Sequence, residues 1–146
     1  MAQREMTGAQ FMVRFLERKG VRQLYGIPGA AILPLYDAVL EGGVIRSFNV
    51  RHEQTAVFMA DGYSRATGKI GICAATSGPG ATNFLTGLYS AFVDSIPLIA
   101  VTGQVPMGLL GKDAFQEAPI IEMAKPVTKN AYLLKKTNEI PDILQE

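Results

Sequence analysis

The stretch NVRHEQTAVFMADGYSRATGK, residues 49–69, decides the fold class because a short apolar run ends in it and helical periodicity begins. The run ends at Phe48 and Val50, and the residues that then recur at helical spacing are Ala56, Met59, Ala60 and Tyr63. Glu53 therefore lies at a predicted junction between a strand and a helix. The first N–H groups of a helix lack backbone partners, and ligands gather beyond the carboxyl ends of strands in open α/β sheets. Glu53 is thus either an acid that favours the helix start or a catalytic group, and this stretch leaves both open.

The segments on either side of this stretch repeat the order of strand followed by helix. A capping box at Thr7 to Gln10 predicts a first helix that ends near Gly20. The predicted strands are residues 21–27, 44–50, 70–75 and 98–102. The second helix has a predicted buried stripe of Ile32, Leu35, Tyr36 and Leu40, and the fourth helix is predicted over residues 80–94. This order predicts an α/β domain of three layers, α/β/α, with a mainly parallel sheet covered on both faces.

The last third of the sequence is less regular. Residues 104–126 are rich in Gly, Met and Pro and are too long for a simple connection, and loops of this length are commonly functional. Residues 127–134 predict a last, edge-type strand, and the stretch from Asn138 to Pro141 opens a helix. An apolar stripe begins in that helix just before Glu146. We therefore expect residues 1–146 to be one domain of a longer protein, truncated within its last helix.

Composition restricts the function classes. The 146 residues are 48% hydrophobic, which suffices for one core of ordinary domain size. The 14 basic and 13 acidic residues give a net charge of +1, so the basic field that nucleic-acid binding needs is missing. The single cysteine, Cys73, lies in an apolar run and suits a buried core thiol in a reducing compartment. Asp94 and Pro97 interrupt the most apolar later segment, so we expect a soluble, cytoplasmic protein without a membrane partner.

Three loops follow predicted strands and should meet at one edge of the sheet: Gly26 to Ala31, Arg51 to Gln54 and Thr76 to Asn83. The last loop lacks the Gly-Lys-Ser/Thr ending of a P-loop and the three-glycine spacing of a dinucleotide site, so a tight turn without a ligand stays an alternative. His52 is the only histidine, and the sequence offers neither a His and Cys metal cluster nor a Gly-x-Ser-x-Gly nucleophile elbow. Residue chemistry alone predicts a ligand edge with one candidate acid.

Several motifs in register resemble the N-terminal pyrimidine-binding domain of thiamine-diphosphate enzymes. They are GIPG at 26–29, RHE at 51–53, ADGY at 60–63, TSGPGATN at 76–83, DSIP at 94–97 and GQVP at 103–106. The motif DAFQE at 113–117 is most similar to the large subunit of acetolactate synthase. Glyoxylate carboligase is a near relative with a similar AKPV motif, here at 124–127, but it has an apolar residue at the place of Glu53.

The resemblance implies a flavodoxin-like, thiamine-diphosphate-binding fold and a role for each motif. The carboxyl group of Glu53 would hold a hydrogen bond to N1′ of the cofactor's aminopyrimidine and so promote loss of the thiazolium C2 proton, a task that suits a partly desolvated acid. The residues implied to line the pyrimidine pocket are Pro28, Gly29, Thr76, Pro79 and Asn83. Gln116 would be a second catalytic and cofactor-binding residue, and Phe115 would line the substrate channel. Without the resemblance, Gln116 is a solvated loop residue and Phe115 a core aromatic.

The same resemblance implies the reaction and the partners. The enzyme would decarboxylate pyruvate and join the fragment to a second 2-keto acid, a step of branched-chain amino acid biosynthesis. Mg²⁺ and FAD are expected only through middle and diphosphate-binding domains outside this chain, and no metal ligand is expected here. A neighbouring subunit would supply the diphosphate-binding domain, so a homodimer or a larger homo-oligomer is expected. Two alternatives stay open: glyoxylate carboligase or another thiamine-diphosphate decarboxylase, and a non-catalytic assembly module. A Gly-Asp-Gly motif in a following domain would favour the enzymes over the module.

Overall fold

The computed structural model describes residues 5–146 of the chain. These residues form four strands and seven helices. The strands are β1 (Gln23–Gly26), β2 (Arg46–Asn49), β3 (Gly71–Ala75) and β4 (Leu98–Thr102). The helices are α1 (Gly8–Arg18), α2 (Leu33–Gly42), α3 (Glu53–Thr67), α4 (Pro79–Thr82), α5 (Leu85–Val93), α6 (Ile120–Ala124) and α7 (Ile140–Ile143). Short 3₁₀ turns lie at Ala30–Ile32, Met107–Leu109, Lys125–Val127 and Thr137–Glu139.

The four strands form one parallel sheet in the order β2-β1-β3-β4. Tyr25 pairs with Phe48 on one side and with Cys73 on the other, and Cys73 pairs with Ala100. The chain moves from β1 outward to β2 and then returns to place β3 on the other side of β1. This is the order of a flavodoxin-like doubly wound sheet, and it confirms the predicted α/β class.

Side chains from successive strand residues enter two cores on opposite faces of the sheet. Leu24, Ile72 and Ala74 join the core under α1 and α2, whereas the neighbouring Tyr25 and Cys73 join the core under α3 and α5. Such alternation is the normal period of a strand. Because β3 is buried at every position, both faces of the sheet are covered, and the predicted three layers are confirmed.

Local chemistry fixes the ends of the helices. The predicted capping box of α1 is present, since Thr7 and Gln10 each accept a hydrogen bond from the other's backbone N–H. Helix α3 ends at Gly68, which has a left-handed backbone with φ 69°. Within residues 5–146, none of the helices is both long enough and apolar enough to cross a membrane.

The predicted edge strand over residues 127–134 is wrong. Val127 ends a 3₁₀ turn, and the following residues up to 136 have no regular structure. The adjacent Leu133 and Leu134 both line an apolar cavity together with Met12 and Ile140. Residues 127–134 pair with none of the strands of the sheet, and their last two residues instead lie at a cavity beside α1 and α7.

Two helix predictions are also corrected. Leu40 is 77% exposed instead of buried, because the inner face of α2 is formed by Leu35, Tyr36, Ala38 and Val39. The predicted helix over residues 80–94 is two helices, α4 and α5, with Asn83 and Phe84 between them. The break lets the Phe84 ring enter the core with no exposed surface. The helix predicted from Asn138 is confirmed as a 3₁₀ turn followed by α7.

Candidate functional site

The candidate site lies at the carboxyl edge of the sheet, between β1 and β3, where the order in which strands are added to the sheet reverses. Ligands in open α/β folds bind at such switch points. The loop after β1, the start of α3 and the loop after β3 meet there, as the sequence predicts.

Glu53 is the first residue of α3, and its side chain is directed to another loop. Its Oε2 accepts a hydrogen bond from Asn83 Nδ2 at 2.8 Å. The cap of the helix comes from His52 instead, whose Nδ1 accepts the Gln54 backbone N–H at 3.2 Å. Glu53 lies in the first turn of α3, where its charge favours the helix start. The half-buried carboxylate is at the same time paired with Asn83 of the loop that follows β3.

Two glycines allow the loops to close around Thr76. A Cβ built on Gly29 would lie 2.7 Å from Thr76 Cβ, and one built on Gly80 would lie 2.9 Å from Thr76 Cγ2 and 3.4 Å from Glu53 Oε1. Side chains at these two positions would push the three loops apart. Thr76 Oγ1 is buried and has no hydrogen-bond partner among residues 5–146. Because such a group loses hydration without replacement, it is a candidate ligand contact.

The long loop after β4 reaches the same cluster through its backbone. Gly78 has φ 55°, and a Cβ there would lie 2.5 Å from the carbonyl oxygen of Gln116. Gln116 itself has φ 59°, a left-handed value that is uncommon for residues other than glycine. Phe115 is 88% exposed, so the alternative of a core aromatic is wrong for it. Pro28 and Pro79 are exposed next to Gly29 and Gly80, at the rim of the cluster.

The structure thus brings Gly29, Glu53, Thr76, Asn83 and the Gln116 backbone together, and their roles toward a cofactor stay predictions. Sequence reasoning missed the capping role of His52. It also missed the contact between Gly78 and the long loop, for which the Gly-Pro turn at 78–79 was an available signal.

The remaining reactive groups lie away from this cluster. Cys73 is fully buried, and burial raises the pKa of its thiol above the ordinary value, so the prediction of a core thiol is confirmed. In the part of the chain that the structure describes, no three His, Cys, Asp or Glu side chains gather as metal ligands.

Comparison with known proteins identifies the family. The model of the thiamine pyrophosphate enzyme N-terminal TPP binding domain matches residues 6–123. The chain belongs to this family.

It is 48% identical over 148 residues to an acetolactate synthase of Arthrospira platensis, covering 99% of this chain and 26% of that protein. It is 49% identical over 141 residues to the acetolactate synthase isozyme 3 large subunit of Escherichia coli, covering 97% of this chain and 25% of that protein. With a chloroplastic acetolactate synthase 3 of Brassica napus it shares 50% identity over 139 residues, or 95% of this chain and 21% of the relative. The chain therefore spans about a quarter of the length of these relatives.

The residues of the cluster fit one half of thiamine pyrophosphate, the flat aminopyrimidine ring. The ring carries several hydrogen-bonding nitrogens, and the cluster offers a carboxylate at Glu53 and a hydroxyl at Thr76 that has no partner among residues 5–146. The lack of a side chain at Gly29 and Gly80 lets the loops approach Thr76 closely. When bound, the cofactor supplies a thiazolium carbon that can add to a carbonyl group.

Proposed function

We propose that this chain is the pyrimidine-binding domain of an acetolactate synthase, which decarboxylates pyruvate and joins the two-carbon unit to a second 2-keto acid. The single observation that carries the proposal is the Glu53 carboxylate, held by Asn83 at 2.8 Å beside the buried Thr76 hydroxyl, which has no partner in the part of the chain that the structure describes. The similarity to acetolactate synthases over nearly the whole chain supports the choice of reaction. Glu53 would hold or release a proton at a pyrimidine nitrogen, and Asn83 would fix its orientation.

The other site residues have supporting roles in this proposal. Pro28, Gly29, Thr76 and Pro79 would line the pyrimidine pocket. By the resemblance to the family, Gln116 and Phe115 would face the reacting carbon and the substrate entrance, and the Gln116 backbone lies against Gly78 beside the cluster. Glu53 is held at the start of α3, and Thr76 directly follows β3, which suits a site that must keep its geometry.

The remaining parts of the enzyme belong to the proposal as well. Mg²⁺, the diphosphate and FAD would be held by other domains, which the four-fold greater length of the relatives supports. A diphosphate-binding domain from a neighbouring subunit would close the site, so the enzyme would be a homodimer or larger. A cytoplasmic location is proposed from the single thiol, Cys73, which is fully buried.

The substitution Glu53→Gln tests this function in the complete enzyme. By complete enzyme we mean this domain joined to the remaining domains of the family, which are taken either from its own gene or from the E. coli relative. The amide keeps the shape of the side chain but cannot exchange a proton, so turnover should fall by roughly 10²- to 10⁴-fold. Circular dichroism should show an unchanged fold. Near-normal turnover of the Gln variant would refute the role of Glu53.

Product analysis separates the proposed reaction from the alternatives. The complete enzyme should form acetolactate from pyruvate and little product from glyoxylate. A preference for glyoxylate would favour a glyoxylate carboligase. The absence of any 2-keto acid turnover, with correct folding, would favour an assembly module.

A further inference from the structure

The turn formed by residues 111–117, here called the 111–117 turn, carries two predicted site residues but belongs to no helix or strand. Three of its residues have left-handed backbones: Gly111 with φ 78°, Asp113 with φ 52° and Gln116 with φ 59°. Such conformations are unfavourable for residues with a side chain and persist only where surrounding contacts hold them. The turn therefore needs a specific fixing contact.

Glu117 supplies that contact. One carboxylate oxygen accepts the Gly111 backbone N–H at 2.5 Å, and the other accepts the Ala114 backbone N–H at 3.1 Å. The Glu117 backbone N–H also donates to the Ala114 carbonyl at 2.9 Å. One side chain thus joins the start, the middle and the end of the turn. The bond from Gly111 lowers the pKa of Glu117 below its ordinary value, with further contributions from the amides of Ala114, Lys112 and Asp113, so the carboxylate is charged at neutral pH.

The fixed turn is coupled to the candidate site at one point. The Gln116 backbone lies against Gly78, the residue that follows Ser77 in the loop after β3. Phe115, one residue earlier, is left 88% exposed at the rim. A change in the turn would move both residues without touching Glu53 or Asn83.

We propose that Glu117 is a positioning residue that holds the 111–117 turn so that Phe115 and Gln116 face the incoming 2-keto acid. The role in substrate binding rests on the proposed function, whereas the fixing of the turn does not. Glu117 acts on the substrate only through these two residues. Its loss should therefore weaken substrate binding more than it slows the chemistry.

Amide hydrogen exchange of the 146-residue chain, followed by NMR, tests the fixing of the turn. The Gly111 and Ala114 amides should exchange roughly tenfold faster or more in Glu117→Ala, because hydrogen bonds to a charged acceptor are lost. Glu117→Gln keeps one acceptor oxygen and should give an intermediate rate. Glu122→Gln is the matched control, since Glu122 is exposed on nearby α6 and should leave both amides unchanged. Equal exchange in the wild type and in Glu117→Ala would overturn the proposal.

Steady-state kinetics of the complete enzyme test the substrate role. Glu117→Ala should raise KM for pyruvate by a larger factor than it lowers kcat, and Glu117→Gln should recover part of the loss. An unchanged KM in Glu117→Ala would overturn the substrate role. The same would follow if Glu117→Ala and Glu117→Gln lowered kcat equally and left KM unchanged. The proposed function is tested separately, by Glu53→Gln and by product analysis. Its failure would therefore be distinguished from a failure of the role proposed for Glu117.

Discussion

At the scale of single residues, one polar atom of the cluster is buried at some cost in stability. Thr76 Oγ1 is buried without a partner among the described residues, although a buried hydroxyl normally finds one. The sequence alone could not reveal this, because threonine at the end of a strand is ordinary. The close approach to the hydroxyl comes from Gly29, which is far from Thr76 in the sequence.

We expect Thr76→Val to stabilise the ligand-free chain while weakening cofactor binding by the complete enzyme. Valine has nearly the same shape but no hydroxyl, and leaving such a group unpaired costs about 1–3 kcal/mol. Urea unfolding should show a higher midpoint, and calorimetric titration with thiamine diphosphate and Mg²⁺ should show a larger Kd. Thr86→Val, at an exposed position of α5, is the control and should change neither quantity. A destabilised Thr76→Val chain would indicate that the hydroxyl has a structural partner.

At the scale of single elements, local sequence patterns predicted the strands of the sheet but not the contacts between distant segments. The four strands were predicted because each is a short apolar run between turn signals, and the structure shortens the first three by one or two residues at five of their six ends and leaves the fourth unchanged. The prediction of a strand over residues 127–134 was wrong because a strand forms only when it pairs with another strand. Whether a partner strand is available depends on distant parts of the chain. Glu117 was missed for a related reason, since its partners are backbone amides that have no residue-type signature.

Glycine 78 connects two loops, and its replacement should affect both. We expect Gly78→Ala to destabilise the chain by more than about 1–2 kcal/mol, since its φ of 55° disfavours a side chain and the new Cβ would overlap the Gln116 carbonyl. Gly62→Ala is the matched control in α3, where a Cβ would meet no neighbouring atom within 4 Å. That substitution should instead stabilise the helix by up to about 1 kcal/mol. Urea unfolding of both variants measures the difference, and equal midpoints would contradict the close approach.

At the scale of the whole molecule, the neighbouring helices α3 and α5 both leave large apolar side chains exposed. Gly87 of α5 packs closely against Val57 of α3, so the two helices lie side by side. Their outer surfaces carry what we call the α3–α5 strip: Phe58, Met59, Tyr89, Phe92 and Val93, which are 42%, 37%, 57%, 46% and 56% exposed. The sequence predicted that the apolar stripe of residues 80–94 was too wide for one buried face, and the exposure of Tyr89 and Phe92 confirms it.

We expect the purified chain of residues 1–146 to self-associate through the α3–α5 strip, yet to show no carboligase activity and only weak thiamine diphosphate binding. Clustered apolar surface is a common mark of a protein interface, and identical patches pair readily across a two-fold axis. Binding should be weak because the pyrimidine ring alone buries little surface.

Sedimentation velocity across a range of concentrations should show a dimer or larger species. Phe92→Glu should shift this equilibrium to the monomer, whereas Leu40→Glu, at an isolated position that is 77% exposed, should not. A strict monomer would contradict the interface. Binding of thiamine diphosphate at roughly micromolar affinity or tighter would contradict the assignment of only half a cofactor site to this domain.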